Sequence, residues 1–144
     1  QVLHAAGVRW VDTSGAGGTS WVGVETLRAT GAQRRLGEAL WDWGIPTAAS
    51  IMLSARAGMR VIATGGIKSG LDVARAVALG ASAAGIARQA YQAFLAGGED
   101  GAHAFFDEVE QELRAVMLLT GSADLGALAR APRIISGELR DYLG

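Results

Sequence analysis

The run Val11 to Trp21, V-D-T-S-G-A-G-G-T-S-W, has the residue types of a ligand seat. Glycines at 15, 17 and 18 let bare backbone approach a bound group, and hydroxyls at 13, 14, 19 and 20 surround them with short donors. A second run, T-G-G-I-K-S-G at 64 to 70, follows another short apolar stretch. A third apolar stretch ends at Ala87-Arg88, just before a further helix start. Two strand ends that each lead into a helix N-terminus offer amide N–H groups and a favourable dipole to a phosphate. Gly65, Gly66 and Ile67 with Ala87 and Arg88 make that pair, and Lys68 and Arg88 add positive charge. The plain alternative is that Gly65-Gly66 is only a tight turn. Neither loop is a P-loop, since no Lys follows Gly18, and neither carries a dinucleotide fingerprint.

Other chemistry-bearing residues are sparse. Asp12 stands at a strand end, as a base or as a brace for the loop. Glu25 and Arg28, three apart, form either a helical ion pair or a ligand-positioning pair. His4 and His103 read as surface or helix-end residues. Trp41 and Trp43 read as packing or interface residues, and the acidic positions along 102–120 as a solvated face. No Ser-His-Asp set, paired carboxylates in one loop or metal-spaced cluster is present. No catalytic residue and no metal ligand is therefore assigned in this chain.

The chain has 144 residues, half of them hydrophobic, which suffices for one ordinary domain or part of a larger one. Glycine is abundant, at 21 residues against two prolines, which points to tight turns rather than a linker. A net charge of -1 with no basic patch argues against nucleic acid as a partner. There is no cysteine, hence no disulfide or thiolate chemistry, compatible with the cytoplasm. No stretch reaches the roughly 20 apolar residues of a membrane span, and no signal peptide is evident. The first residue is Gln rather than Met, and the start reads as the tail of a helix.

The elements that must position the loops follow in order. Residues 2–6 read as a helix end stopped by Gly7, and residues 8–11 as a short strand. Residues 21–30 are undecided between extended and helical, and 32–43 read as an insertion or surface helix. Ile45-Pro46-Thr47 is a helix entrance, with Thr47 as N-cap for 48–57 and Gly58 after its end. Residues 60–63 form a second strand. Ser69 starts a helix through Leu79 with Asp72 in its first turn. Residues 83–87 form a third strand, followed by a short helix over 88–96 stopped at Gly97-Gly98. Residues 102–120 carry the longest helical pattern, with Phe105, Phe106, Val109, Leu113, Val116, Met117 and Thr120 on one face. Shorter helical pieces at 125–129 and 137–143 flank Pro132. Three strand–loop–helix units imply an α/β fold with a parallel sheet. Two architectures fit: an open doubly wound sheet, or part of a (β/α)8 barrel, which needs about 250 residues to close.

The run D-T-S-G-A-G-G-T-S-W-V-G-V-E, then W-G-I-P-T, then A-T-G-G-I-K-S-G-L-D-V-A-R-A-V-A-L-G-A, and finally G-I-A-R resembles type 2 isopentenyl-diphosphate isomerase over nearly the whole chain. The later motifs are shared with FMN-dependent 2-hydroxy-acid oxidases and dehydrogenases; the first loop and W-G-I-P-T are more specific to the isomerase. The resemblance implies a flavin-dependent TIM barrel, of which residues 1–144 are a single partial domain, the C-terminal portion from about strand 6 to strand 8. It implies interconversion of isopentenyl and dimethylallyl diphosphate by reduced FMN, in isoprenoid biosynthesis in the cytoplasm, with Mg²⁺ and NAD(P)H required. By motif, Thr19 and Ser14 touch the flavin or its ribityl chain. Backbone amides of Gly65, Gly66, Ile67, Lys68, Ala87 and Arg88 hold the FMN phosphate, so a valine at Gly66 should press on that seat. The substrate-diphosphate and metal residues belong to the first half of such a barrel. This chain alone is then inactive, and its expected partners are the missing N-terminal half and a second copy of itself. Two alternatives stay open: an FMN-dependent 2-hydroxy-acid oxidoreductase, whose H-G-x-R pair is absent from S-G-A-G-G-T, and a non-catalytic flavin- or phosphate-binding half barrel.

Overall fold

A computed structural model describes residues 2–143. Its described elements run α1 (Val2–Ala5), β1 (Trp10–Thr13), a 3-10 turn (Gly15–Gly17), α2 (Trp21–Arg28), α3 (Gly31–Ala39) and α4 (Thr47–Arg56). They continue with β2 (Arg60–Ala63), α5 (Gly70–Ala78), β3 (Ala83–Ala84), α6 (Arg88–Leu119), α7 (Leu125–Arg130) and a 3-10 segment (Gly137–Leu143). The three strands form one parallel sheet in chain order, with Trp10 opposite Arg60, Thr13 opposite Ala63, and Ala63 opposite Ala84. This is the expected strand–loop–helix α/β pattern.

Side chains alternate across each strand. Val11, Val61, Ala63 and Ala84 point to one face, where they pack with Ile51 of α4, Ala76 of α5, and Met59, Ile67 and Ala81. The helices that pack on the sheet are α4 and α5. The opposite face carries Trp10, Asp12 and Arg60, all exposed, and half-buried Ile62. There Arg60 lies over the Trp10 ring at 4.9 Å. A second apolar layer joins Ala74 and Val77 of α5 to Leu113, Val116 and Met117 of α6 and Leu128 of α7. The α2–α3 hairpin packs largely on itself.

Several local expectations are corrected. The first strand is Trp10–Thr13 rather than 8–11, because β2 sets the frame through Arg60 N–H to the Arg9 carbonyl and Thr64 N–H to the Thr13 carbonyl. The third strand is only Ala83–Ala84; beyond the Gly85 amide, which bonds the Ala63 carbonyl, no ladder continues. Residues 21–28 are helical, capped by the Ser20 hydroxyl, which accepts from the Gly23 amide at 2.9 Å. The helical stretch Arg88–Leu119 is broken as expected at Gly97 and Gly98, which leave helical geometry. Glu112 is not merely solvated. Its carboxylate accepts from the Gly70 amide at 2.7 Å, which ties α6 to the N-terminus of α5. Ser69 caps α5 as expected, accepting from the Asp72 amide.

Thr13 lies on the helix-facing side of β1, 8% exposed, and its hydroxyl has no partner among the described residues. An unsatisfied buried hydroxyl is costly. Thr13→Val, which keeps the β-branched shape, should therefore raise stability by about 1 kcal/mol. The check is a higher urea midpoint at an unchanged m-value; a lower midpoint contradicts it.

Candidate functional site

The Gly-rich loops lie side by side at the carboxyl ends of β1 and β2, where α/β folds place their ligands. They meet backbone to backbone. A Cβ on Gly65 (φ 74°) would overlap the Ser14 carbonyl oxygen, and one on Gly66 (φ 93°) would overlap that of Gly17. A Cβ on Gly15 would come 2.5 Å from the Thr47 Cα. These glycines thus serve first to dock the loops on each other and on α4. Gly66→Val would break that docking, so it does not isolate the phosphate seat as expected.

Three further contacts fix the strand ends. The Thr64 hydroxyl donates to Asp12 Oδ1 at 2.5 Å, and the Thr64 amide donates to the Thr13 carbonyl at 3.0 Å. Asp12 is thus a brace between β1 and the second loop. The Thr47 hydroxyl lies 2.6 Å from the Ser14 carbonyl oxygen and 2.7 Å from that of Gly65. Thr47 is not the N-cap of α4: Pro46 takes that position, and Thr47 is the first helical residue. Its hydroxyl is left to bridge the loops instead.

What remains open to a ligand can be counted donor by donor. Of the four hydroxyls in the first loop region, Ser20 caps α2 and Thr13 is buried. Ser14 and Thr19 are exposed and make no side-chain hydrogen bond among the described residues. These are the two singled out from sequence. The amides of Gly65, Gly66 and Ile67 have no acceptor among the described residues. The amide of Lys68, unlike these three, donates to Asp72 Oδ2 at 3.2 Å, and its side chain is exposed. The Ile67 side chain is part of the core. On the next strand end, α6 begins at Arg88 with Ala87 as N-cap and no capping side chain, which leaves its first-turn amides open. Arg88 itself is exposed. The two sets sit at the ends of adjacent, paired strands.

Unpaired amides beside a helix N-terminus, with two cations at hand, suit a phosphate dianion. A cavity of about 220 Å³ lies between α4 and α5, lined by Gly17, Thr47, Ile51 and Gly65 to Ile67 among others. Neither Ala87 nor Arg88 lines it, so it does not span both strand ends.

The remaining candidates take structural places. Glu25 and Arg28 form an exposed ion pair at 3.3 Å. His4 and His103 are exposed on helices, and Trp43 is 80% exposed. No group of three metal-binding side chains is found among the described residues. Among them, no helix is long and apolar enough to cross a membrane. The Thr47 bridge and the Asp12–Thr64 and Glu112–Gly70 contacts were missed from sequence. The available signal for Thr47 was Pro46, which fits the extended backbone of an N-cap and frees the next hydroxyl.

The profile of the family described as FMN-dependent dehydrogenase matches residues 5–135. The chain is 44% identical over 147 residues to a Methanosarcina barkeri protein named isopentenyl-diphosphate delta-isomerase, covering 99% of this chain and 40% of that protein. It is 44% identical over 152 residues to the protein of the same name from Metallosphaera sedula, again covering 99% and 40%. The chain thus spans about 40% of the length of these curated relatives. Among solved structures, it is similar to a mandelate oxidase variant with a monooxide FMN adduct, at TM-score 0.62 and 34% identity, over 66% of this chain and 31% of that one. It is also similar to mandelate oxidase with 3,3-difluoro-2-hydroxy-3-phenylpropionic acid, at TM-score 0.62 and 33% identity, over 67% and 30%.

Proposed function

This chain belongs to the FMN-dependent dehydrogenase family, and from that premise we propose that it supplies the FMN-phosphate side of a flavin-dependent isopentenyl-diphosphate isomerase. The observation that carries the reading is the row of unpaired amides at Gly65, Gly66 and Ile67 beside the uncapped start of α6. In this reading those amides, with Ala87 and Arg88, bind the phosphate, and Lys68 and Arg88 balance its charge. Ser14 and Thr19 hydrogen-bond the ribityl chain and ring edge. When bound, reduced FMN supplies the proton chemistry that this chain's side chains do not. The loop glycines and Thr47 keep that surface rigid. Relatives named isopentenyl-diphosphate delta-isomerase support isopentenyl and dimethylallyl diphosphate as the reacting pair.

In the same reading, the chain is the C-terminal portion of a TIM barrel. The exposed sheet face bearing Trp10, Asp12 and Arg60 is what such a portion would turn toward the rest of the barrel. Ligands for Mg²⁺ and the diphosphate, and the NAD(P)H that reduces the flavin, would be met there. The working assembly is then this chain with that remainder, further assembled as a homo-oligomer, in the cytoplasm.

A second reading, oxidation of a 2-hydroxy acid, draws on the mandelate oxidase likeness. Against it, the first loop holds no histidine; the two in the chain are His4 and His103. The test is to reduce the FMN-loaded protein, with the rest of the barrel supplied, and add isopentenyl diphosphate. Formation of dimethylallyl diphosphate supports the isomerase reading. Bleaching of oxidised flavin by mandelate or glycolate, without isomerisation, supports the oxidase.

A further inference from the structure

We infer that Thr47 is a positioning residue that sets which way the ligand-facing amides of both loops point. The inference rests on the phosphate reading above and assigns a role to the last residue of W-G-I-P-T.

The physical basis is the peptide plane. In a trans peptide the carbonyl and the following N–H are coplanar and point in opposite directions. The Thr47 hydroxyl holds the Gly65 carbonyl on the α4 side, at 2.7 Å. That turns the Gly66 N–H away from α4. The same single proton is shared with the Ser14 carbonyl oxygen, 2.6 Å from the hydroxyl, and with that carbonyl on the Thr47 side the Gly15 N–H turns away from it. Neither amide has an acceptor among the described residues.

The Gly65–Gly66 peptide needs an external tether. It is flanked by two residues without a Cβ, both at positive φ (74° and 93°), so rotation of the whole plane meets little intrinsic steric resistance. A hydroxyl fixed on the first turn of a packed helix provides that tether. Thr47 is well anchored for the task, because Ile51, one turn further on the same face, is 1% exposed.

The test uses ¹⁵N-labelled chain with Thr47→Val and Thr47→Ser. Valine keeps the shape and removes the proton; serine keeps the proton. FMN affinity should fall roughly 10- to 100-fold in Thr47→Val, from one or two misdirected bonds to the phosphate. Riboflavin affinity should hold, and Thr47→Ser should restore FMN binding to within about 3-fold of wild type. Wild-type FMN affinity in Thr47→Val overturns the inference, as does an equal loss of FMN and riboflavin. If the unsubstituted chain does not bind FMN even with the rest of the barrel supplied, the flavin reading fails, and inorganic phosphate decides on Thr47. A Gly66 amide resonance that shifts with phosphate in the wild type but not in Thr47→Val sustains the inference; a shift in both, or in neither, overturns it.

Discussion

Gly65→Ala is expected to pull the two loops apart, lowering stability by roughly 3 kcal/mol or more and abolishing FMN binding. Two separate effects add. Gly65 sits at φ 74°, where an L side chain is strained by about 1–2 kcal/mol. The new Cβ would also overlap the Ser14 carbonyl oxygen, which is backbone and cannot rotate aside. Relief requires the first loop to move, and with it Ser14 and the Thr47 contact. Gly7→Ala is the matched control. Its φ is 92°, but a Cβ there meets nothing within 4 Å, so it should cost only the strain. Urea unfolding and FMN titration of both variants check this; equal costs at positions 7 and 65 would mean the loops are not docked as described.

Ile51→Ala is expected to cost about 3 kcal/mol, within the range for emptying a packed core position. Ile51 is 1% exposed and clusters with Val61 and Ala63 of β2, Ala76 of α5, and Ile67 at the foot of the second loop. Against a typical total stability of about 5–15 kcal/mol this is a large fraction. Because Ile51 anchors the turn that carries Thr47, FMN affinity should fall even where the variant is still folded. A loss below about 1 kcal/mol, measured from the urea midpoint, would remove Ile51 from the core assigned to it.

The alternation of short apolar runs, glycine-rich turns and helices made the α/β pattern legible from sequence. So did features with local causes, such as the Ser69 cap and the break at Gly97-Gly98. Features set by distant partners were not legible. Asp12 and Thr13 read as loop because they are polar, yet pairing with β2 makes them strand residues. Thr47 read as a cap because only nearby amides could be considered. Its actual partners, Ser14 and Gly65, lie 33 and 18 residues away in sequence. Glu112 bonds an amide 42 residues away. For the candidate site, residue types pointed to Gly65 and Gly66, and the family resemblance pointed to Ser14 and Thr19. Only the structure separated amides open to a ligand from that of Lys68, which is already bound to Asp72.

The most direct test of the phosphate seat is the ratio of FMN to riboflavin affinity in the unsubstituted protein, since the two ligands differ only in the phosphate. Several charge-assisted bonds to open amides, with Lys68 and Arg88 nearby, predict FMN tighter by roughly 100-fold or more. Equal affinity for the two would contradict a phosphate held at Gly65 to Ile67 and Ala87-Arg88.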